Sequence, residues 1–189
     1  RWLMADADCH RLVFIGGRYS ADQSAIGDLP KGVVLSRLAD IIDDDPDTLR
    51  DVLAATDPED GDGLLALNTA LLRDGMVLRI DAGVELTRPV QLVHFATSDD
   101  ATHPRHLVTL GENSRATLLE CYVGATNAKN WTNSVMTIDA AAGAKLDHVR
   151  LQLEGDDAYH VGLTRLNIAR DSAYLGVALS VGAKLSRNE

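Results

Sequence analysis

Aliphatic and polar residues alternate through most of the chain after residue 76. Such alternation puts every second side chain on one buried face and marks a strand. The runs fall at 76–80, 90–95, 106–110, 116–123, 133–138, 144–153, 160–168 and 173–180. Four junctions between them read alike: Ile80-Asp-Ala-Gly-Val-Glu-Leu86, Leu110-Gly-Glu-Asn-Ser-Arg-Ala-Thr-Leu118, Ile138-Asp-Ala-Ala-Ala-Gly-Ala-Lys-Leu146 and Ile168-Ala-Arg-Asp-Ser-Ala-Tyr-Leu175. Each is an aliphatic strand end, a small or polar turn, then Val or Ala, a spacer and Leu. The closing leucines lie 32, 28 and 29 residues apart. A fixed period near that length, built of strand and turn residues, predicts a stacked β architecture.

No helical pattern separates these strands, whereas parallel neighbours in an open sheet need long crossovers, usually helical. Winding the strands round an axis removes that need, so the pattern predicts a mainly β chain forming a parallel β-helix. Inward positions are expected to be Ile80, Leu110, Ile138 and Ile168 before the turns, and Val84, Ala116, Ala144 and Ala173 after them. Gly83, Ser114, Gly143 and Ser172 are small enough to let coils stack closely. An antiparallel sandwich also suits short alternating strands, but it gives no reason for the period.

The first 75 residues differ in texture. Leu12-Val-Phe-Ile15 before Gly16-Gly17 predicts a strand entering a turn, and Gly32-Val-Val-Leu35 a second strand. Asp45 as N-cap and Pro46 at the first helical position start a helix with Leu49, Val52 and Leu53 on one face, ending at Thr56-Asp57-Pro58. A second helix is expected over 63–73, with Leu64, Leu67, Leu71 and Leu72 on one face, Asp62 as N-cap and Gly75 as a left-handed C′ residue. The chain thus divides into a small α/β N-terminal segment with two helices, 1–75, and a β-helix core, 76–189.

Composition narrows the possibilities. The chain has 189 residues, 46% of them hydrophobic and only 4% aromatic. That fits one domain with a core of Leu, Val, Ile and Ala. A net charge of −10 argues against nucleic acid and anionic membrane as partners. Much of it sits in Asp43-Asp44-Asp45 and in 57–62, read as solvated flanks. Cys9 and Cys121 lack C-x-x-C partners and are expected to be reduced thiols of a cytoplasmic protein. No apolar run is long enough for a transmembrane helix. The chain opens with Arg1-Trp2 and stops in mid-pattern at Lys184-Leu-Ser-Arg-Asn-Glu189. It is therefore expected to be a piece of a longer protein, whose open coil end near 178–185 would self-associate into a homodimer.

The candidate chemistry is sparse. His103 and His106 are spaced like a metal pair, yet no nearby Cys, Asp or Glu completes four ligands. Cys121 lies beside Glu120 in an apolar strand, which suits a buried structural thiol better than a nucleophile. Asp139, Asp147 and Glu154 invite comparison with the acids of carbohydrate-cleaving β-helices, but their spacing places no pair on one face of a cleft. His94, His148 and His160 stand singly on strands. Neither nucleotide fingerprint, G-x-x-x-x-G-K-[ST] nor G-x-G-x-x-G, is present. No catalytic, cofactor-binding or metal residue is assigned, and the chain is not expected to be an enzyme.

One ordered set of residues is familiar. His103-Pro-Arg, Leu107, Gly111-Glu-Asn-Ser114, Ala116-Thr117, Glu120 and Tyr122-Val123 resemble the core signature of the SufB/SufD family of iron–sulfur cluster assembly proteins, on its SufD side. Leu12-Val-Phe-Ile-Gly-Gly-Arg-Tyr19, Ala66-Leu-Asn-Thr-Ala70 with Asp74-Gly75, Thr132-Asn133, Gly143-Ala-Lys-Leu-Asp-His148, and Gly182 with Leu185-Ser-Arg-Asn188 agree in order. The resemblance implies a right-handed parallel β-helix and a non-catalytic scaffold role in a SufBCD complex. It implies SufB and the SufC ATPase as partners, met largely through later parts of the parent protein. It implies no cofactor in this part of the chain; the iron–sulfur cluster is handled by the parent complex with SufB. SufB shares the architecture. Rival readings are a carbohydrate-active β-helix enzyme and a self-assembling structural β-helix.

Overall fold

The computed structural model describes residues 7–44, 63–97, 101–125 and 128–189. It opens with strands β1 (His10–Ile15), β2 (Arg18–Tyr19) and β3 (Val33–Arg37), then helices α1 (Leu38–Asp44) and α2 (Gly63–Ala70). Ten strands follow: β4 (Met76–Ile80), β5 (Val90–Ala96), β6 (Ala101–Thr102), β7 (Arg105–Leu110), β8 (Arg115–Gly124), β9 (Trp131–Ala140), β10 (Lys145–Leu153), β11 (Tyr159–Ile168), β12 (Ala173–Ser180) and β13 (Leu185–Asn188). The result is a parallel β-solenoid of about four turns.

Successive long strands go to opposite sheets. One sheet runs β12-β10-β8-β5-β1-β2 and the other β13-β11-β9-β7-β4-β3. Within the solenoid every neighbour is parallel and one coil away in sequence. The N-terminal segment joins the same sheets, with β1 parallel to β5 and β3 antiparallel to β4. Gly16 and Gly17 form the β1–β2 turn at φ 55° and 74°. Positive φ at both central residues matches the right-handed strand twist and favours glycine.

The register sharpens the repeat. Leu86, Ala116, Leu146 and Tyr174 share one rung, so the closing leucines are not all equivalent. Leu118 lies two residues further along its strand and still faces inward. Leu175 lies one residue past Tyr174, faces outward and is 61% exposed; a one-residue offset reverses the face. Ala173 is on the outward side for the same reason. The turns repeat at a left-handed residue: Gly83 (71°), Asn113 (57°), Gly143 (71°) and Asp171 (60°). Gly and short Asn or Asp side chains tolerate that conformation best. Ser114 and Ser172 follow it, each donating its hydroxyl to a carbonyl of its own turn, Gly111 and Ala169.

Between the sheets lies one aliphatic core containing Leu78, Ile80, Leu86, Leu110, Leu118, Ile138, Ala144 and Leu146. Ile168, expected inside, belongs to the rung of Ile80, Leu110 and Ala140, but it lies in the last coil and is 49% exposed.

The helices differ from expectation. The predicted helix at 46–56 lies outside the described residues, as does the expected cap Asp62. Leu38–Asp44 is helical instead, and Leu38 packs on Leu107 from the outside of the sheet. The second predicted helix ends at Ala70 rather than residue 73. Asn68 donates from it to the carbonyls of Pro104 and Asn133, and Asn133 returns a bond to Leu64. Gly75 has no positive φ. It is needed for a close approach: a Cβ there would sit 1.6 Å from the Arg105 carbonyl oxygen.

Candidate functional site

The inward positions of β8 begin with Ala116 and Leu118 and continue with Glu120 and Tyr122. This switch from aliphatic to polar recurs on β10, where Leu146 is followed by His148, Arg150 and Gln152. Parallel register brings these residues side by side, so one end of the solenoid interior is a buried polar column. Strand pairing places Leu92, Glu120 and Arg150 on one rung and Phe14, His94, Tyr122 and Gln152 on another.

Glu120 is the hub, with no solvent exposure. One carboxylate oxygen accepts from Arg150 Nε at 2.7 Å and faces His148 Nε2 at 2.9 Å; the other accepts the Tyr122 hydroxyl at 2.6 Å. Burial alone would favour the neutral acid. The Arg150 charge and the His148 hydrogen bond outweigh it and hold the carboxyl well below its ordinary range. Arg150 spans the interior to Thr164 at 2.9 Å and Asn188 at 3.0 Å. His148 Nδ1 meets the Tyr174 hydroxyl at 2.9 Å.

A second buried acid, Glu154, closes the turn after β10. It accepts from Asn130 at 2.7 Å, Thr132 at 2.9 Å and Gln152 at 3.1 Å, and faces His160 Nδ1 at 2.9 Å. Its burial favours the neutral form, but bonds from His160, Thr132 and Asn130 hold the carboxyl below its usual value. The Tyr122 ring links the two acids, meeting the His160 ring edge-on at 4.6 Å.

The aromatic rung continues toward β1. His94 stacks between Phe14 and Tyr122 at 5.1 and 5.0 Å, the spacing of neighbouring strands. His94 Nε2 lies 3.2 Å from His106 Nε2. Burial pushes both imidazoles down, His106 to about 4 and His94 well below the usual histidine range. The tautomers then follow. The Met76 amide donates to His106 Nδ1 at 3.1 Å, so neutral His106 carries its proton on Nε2 and donates it to His94 Nε2. His94 therefore carries its own proton on Nδ1.

His103 and His106 do not converge: His103 packs edge-on against Trp131, and His106 turns inward to His94. Among the described residues no group of three or more His, Cys, Asp or Glu is placed to hold a metal. Cys121 is buried on the outer side of the sheet with Val13, Val93 and Val123, and burial raises its thiol to about 11. Asp139 is exposed and accepts from Asn167, Asp147 is exposed, and Glu154 is interior; the three share no cleft. His94, His148 and His160 do not stand singly, since all three meet in the column. Arg150, Gln152 and Asn130 are network residues that no local motif marks. Their signal is spacing at the coil period: Glu120 and Arg150 are 30 residues apart, as are Met76 and His106.

A family model described as "SufBD protein N-terminal region" matches residues 4–92, and one described as "SUF system FeS cluster assembly, SufBD core domain" matches 93–189. The chain is 30% identical to a Synechocystis iron–sulfur cluster assembly SufBD family protein, over 98% of this chain and 43% of the relative. It is 27% identical to the Escherichia coli iron–sulfur cluster assembly protein SufD, over 96% and 41%. It is 28% identical to the chloroplastic protein ABCI7 of Arabidopsis thaliana, over 93% and 38%. The chain thus spans about two fifths of the length of these curated relatives.

Proposed function

The chain belongs to the SufBD family of iron–sulfur cluster assembly proteins, and on that premise we propose that it is the early part of a non-catalytic scaffold subunit of a SufBCD-type complex. In this reading it works in the cytoplasm, pairs with SufB and is served by the SufC ATPase, while the cluster is cargo of the assembly. Among the described residues, no helix is long and apolar enough to cross a membrane.

One observation carries the scaffold reading. The two buried acids are each satisfied by several side-chain bonds, and the bonds from His148, Arg150, Asn130 and Thr132 run from one coil to the next. Charges spent on one another inside a solenoid stiffen it, and neither Glu120 nor Glu154 is left facing solvent as an acid or base. A rigid stack suits a subunit whose work is to hold partners in place.

The test is co-purification. The longest natural polypeptide carrying this chain is co-expressed with tagged SufB and SufC from the same source, and residues 1–189 are run alongside. Capture of the long polypeptide by both partners is the expected result. Capture by neither overturns the proposed complex.

A further inference from the structure

Beside the polar column, the described residues line an open-mouthed cavity of about 420 Å³ walled by β1, the residues after α2, β5 and β6. Its lining includes Phe14, Gly17, Arg73, Asp74, His94 and His103. That volume lies within the range of small-molecule sites.

The acceptor side is used up. Asp74 is the acid of the wall. One of its oxygens takes the Ala39 and Gly75 amides at 3.1 and 2.8 Å, and the other takes the Arg37 guanidinium at 3.0 and 3.1 Å. Its charge is therefore already balanced. The donor side is open. His94 is only 9% exposed, and the hydrogen-bond chain from the Met76 amide through His106 leaves its proton on Nδ1. No described residue accepts that proton. The Nδ1 of His103 is buried without a hydrogen-bond partner. Arg73 is exposed at the rim and makes no ion pair or hydrogen bond with a described residue, yet it is close enough to help lower the His103 imidazole, after burial. A donor held in the wall without an acceptor is left unsatisfied, and an acceptor from solution would complete it.

We propose that this cavity binds a small oxyanion, a phosphate or carboxylate head group that accepts from His94 Nδ1 and pairs with Arg73. The Phe14 ring beneath His94 and the backbone of Gly17 form the floor and side. The tautomer makes the site selective for an acceptor: His94 offers a fixed N–H donor there, and its other nitrogen is committed to His106.

The experiment is side-chain ¹H–¹⁵N NMR of the 189-residue protein near neutral pH, titrated with inorganic phosphate, with acetate, and with chloride at matched ionic strength. A saturable shift of the His94 nitrogens is expected from phosphate or acetate and not from chloride. A response to phosphate alone assigns a phosphoryl ligand; a response to acetate alone assigns a carboxylate. Arg73→Gln should weaken binding about tenfold, the worth of one charge-assisted contact. Arg79→Gln, an exposed arginine on β4 that does not line the cavity, should leave binding unchanged. No saturable shift with either anion, or equal binding by Arg73→Gln, overturns the proposal.

Discussion

Glu120→Gln is the sharpest probe of the interior column. The substitution keeps the shape of the side chain and removes its charge. Arg150 then stays in the interior, 7% exposed at its side chain, facing an amide in place of a carboxylate. Its remaining bonds to Thr164 and Asn188 are to neutral oxygens. Breaking one side of a buried ion pair costs about 3–5 kcal/mol, because the surviving charge is left without its counter-ion. For a chain of this length each kcal/mol is worth roughly 2–4 °C. Thermal unfolding followed by far-ultraviolet circular dichroism at pH 7 should therefore show a midpoint lower by roughly 10 °C.

The pH dependence carries the sign. The folded carboxyl lies well below its ordinary value. Its contribution is therefore complete above the unfolded value, about 4.3, and drains away as pH falls through the folded value. The gap between wild type and Glu120→Gln should be constant from pH 7 to about 5 and close in more acidic solution. Adding Arg150→Met to Glu120→Gln should cost less than the two single changes together, since it removes the stranded charge. A midpoint shift below about 2 °C, or a gap that persists unchanged at acid pH, would refute the account of Glu120 as an ionised hub.

Three further outcomes follow from the same geometry. Gly75→Ala should reduce soluble yield and cost more than about 3 kcal/mol, because its Cβ would overlap the Arg105 carbonyl; Gly83→Ala, with open space but a φ of 71°, should cost only about 1–2 kcal/mol, as urea titration would show. Cys121, raised to about 11, should react with iodoacetamide at pH 8 about a hundredfold more slowly than a free thiol, and at the ordinary rate in denaturant, as read by peptide mass spectrometry. His106, lowered from 6.5 to about 4, stays neutral in the fold while the unfolded chain takes up a proton, so wild-type stability should fall by about 2 kcal/mol from that residue between pH 7 and 5; His106→Gln, whose carbonyl can still accept the Met76 amide, should show a flatter profile over that interval.

The architecture was legible because it is written locally. Alternation marks strands, and Gly83, Asn113, Gly143 and Asp171 mark turns one coil apart. What escaped local reading depends on distance. Leu175 matches Leu146 as a word, but only register shows that it faces outward. Gly75 resembles a helix terminator, yet its role is set by the Arg105 backbone far along the chain. The segment Leu-Ala-Asp-Ile-Ile at 38–42 has a weaker helical signature than the Asp45-Pro46 start; the Leu38 contact with Leu107 favours helix there. Glu120, His148 and Arg150 sit on ordinary strands, and nothing in their immediate neighbours separates a network from three isolated polar residues.

The column also answers a problem that the aliphatic core leaves open. Alternation forbids a one-residue slip between coils, because that would turn the apolar face outward. A two-residue slip preserves the alternation and keeps aliphatic residues inside, so the Leu, Val and Ile rungs oppose it weakly. The polar rung opposes it strongly. Sliding β10 by two residues against β8 would set either His148 or Gln152 beside Glu120 in place of Arg150, and would leave two buried charges mispaired. Buried ion pairs are poor sources of net stability but have an attested use in fixing register. The left-handed turn residues act in the same sense from the other end of each coil. The sheets of this solenoid are therefore held in register at both margins, by turn geometry on one side and by Glu120, Arg150 and Glu154 on the other, with the deformable aliphatic core between them.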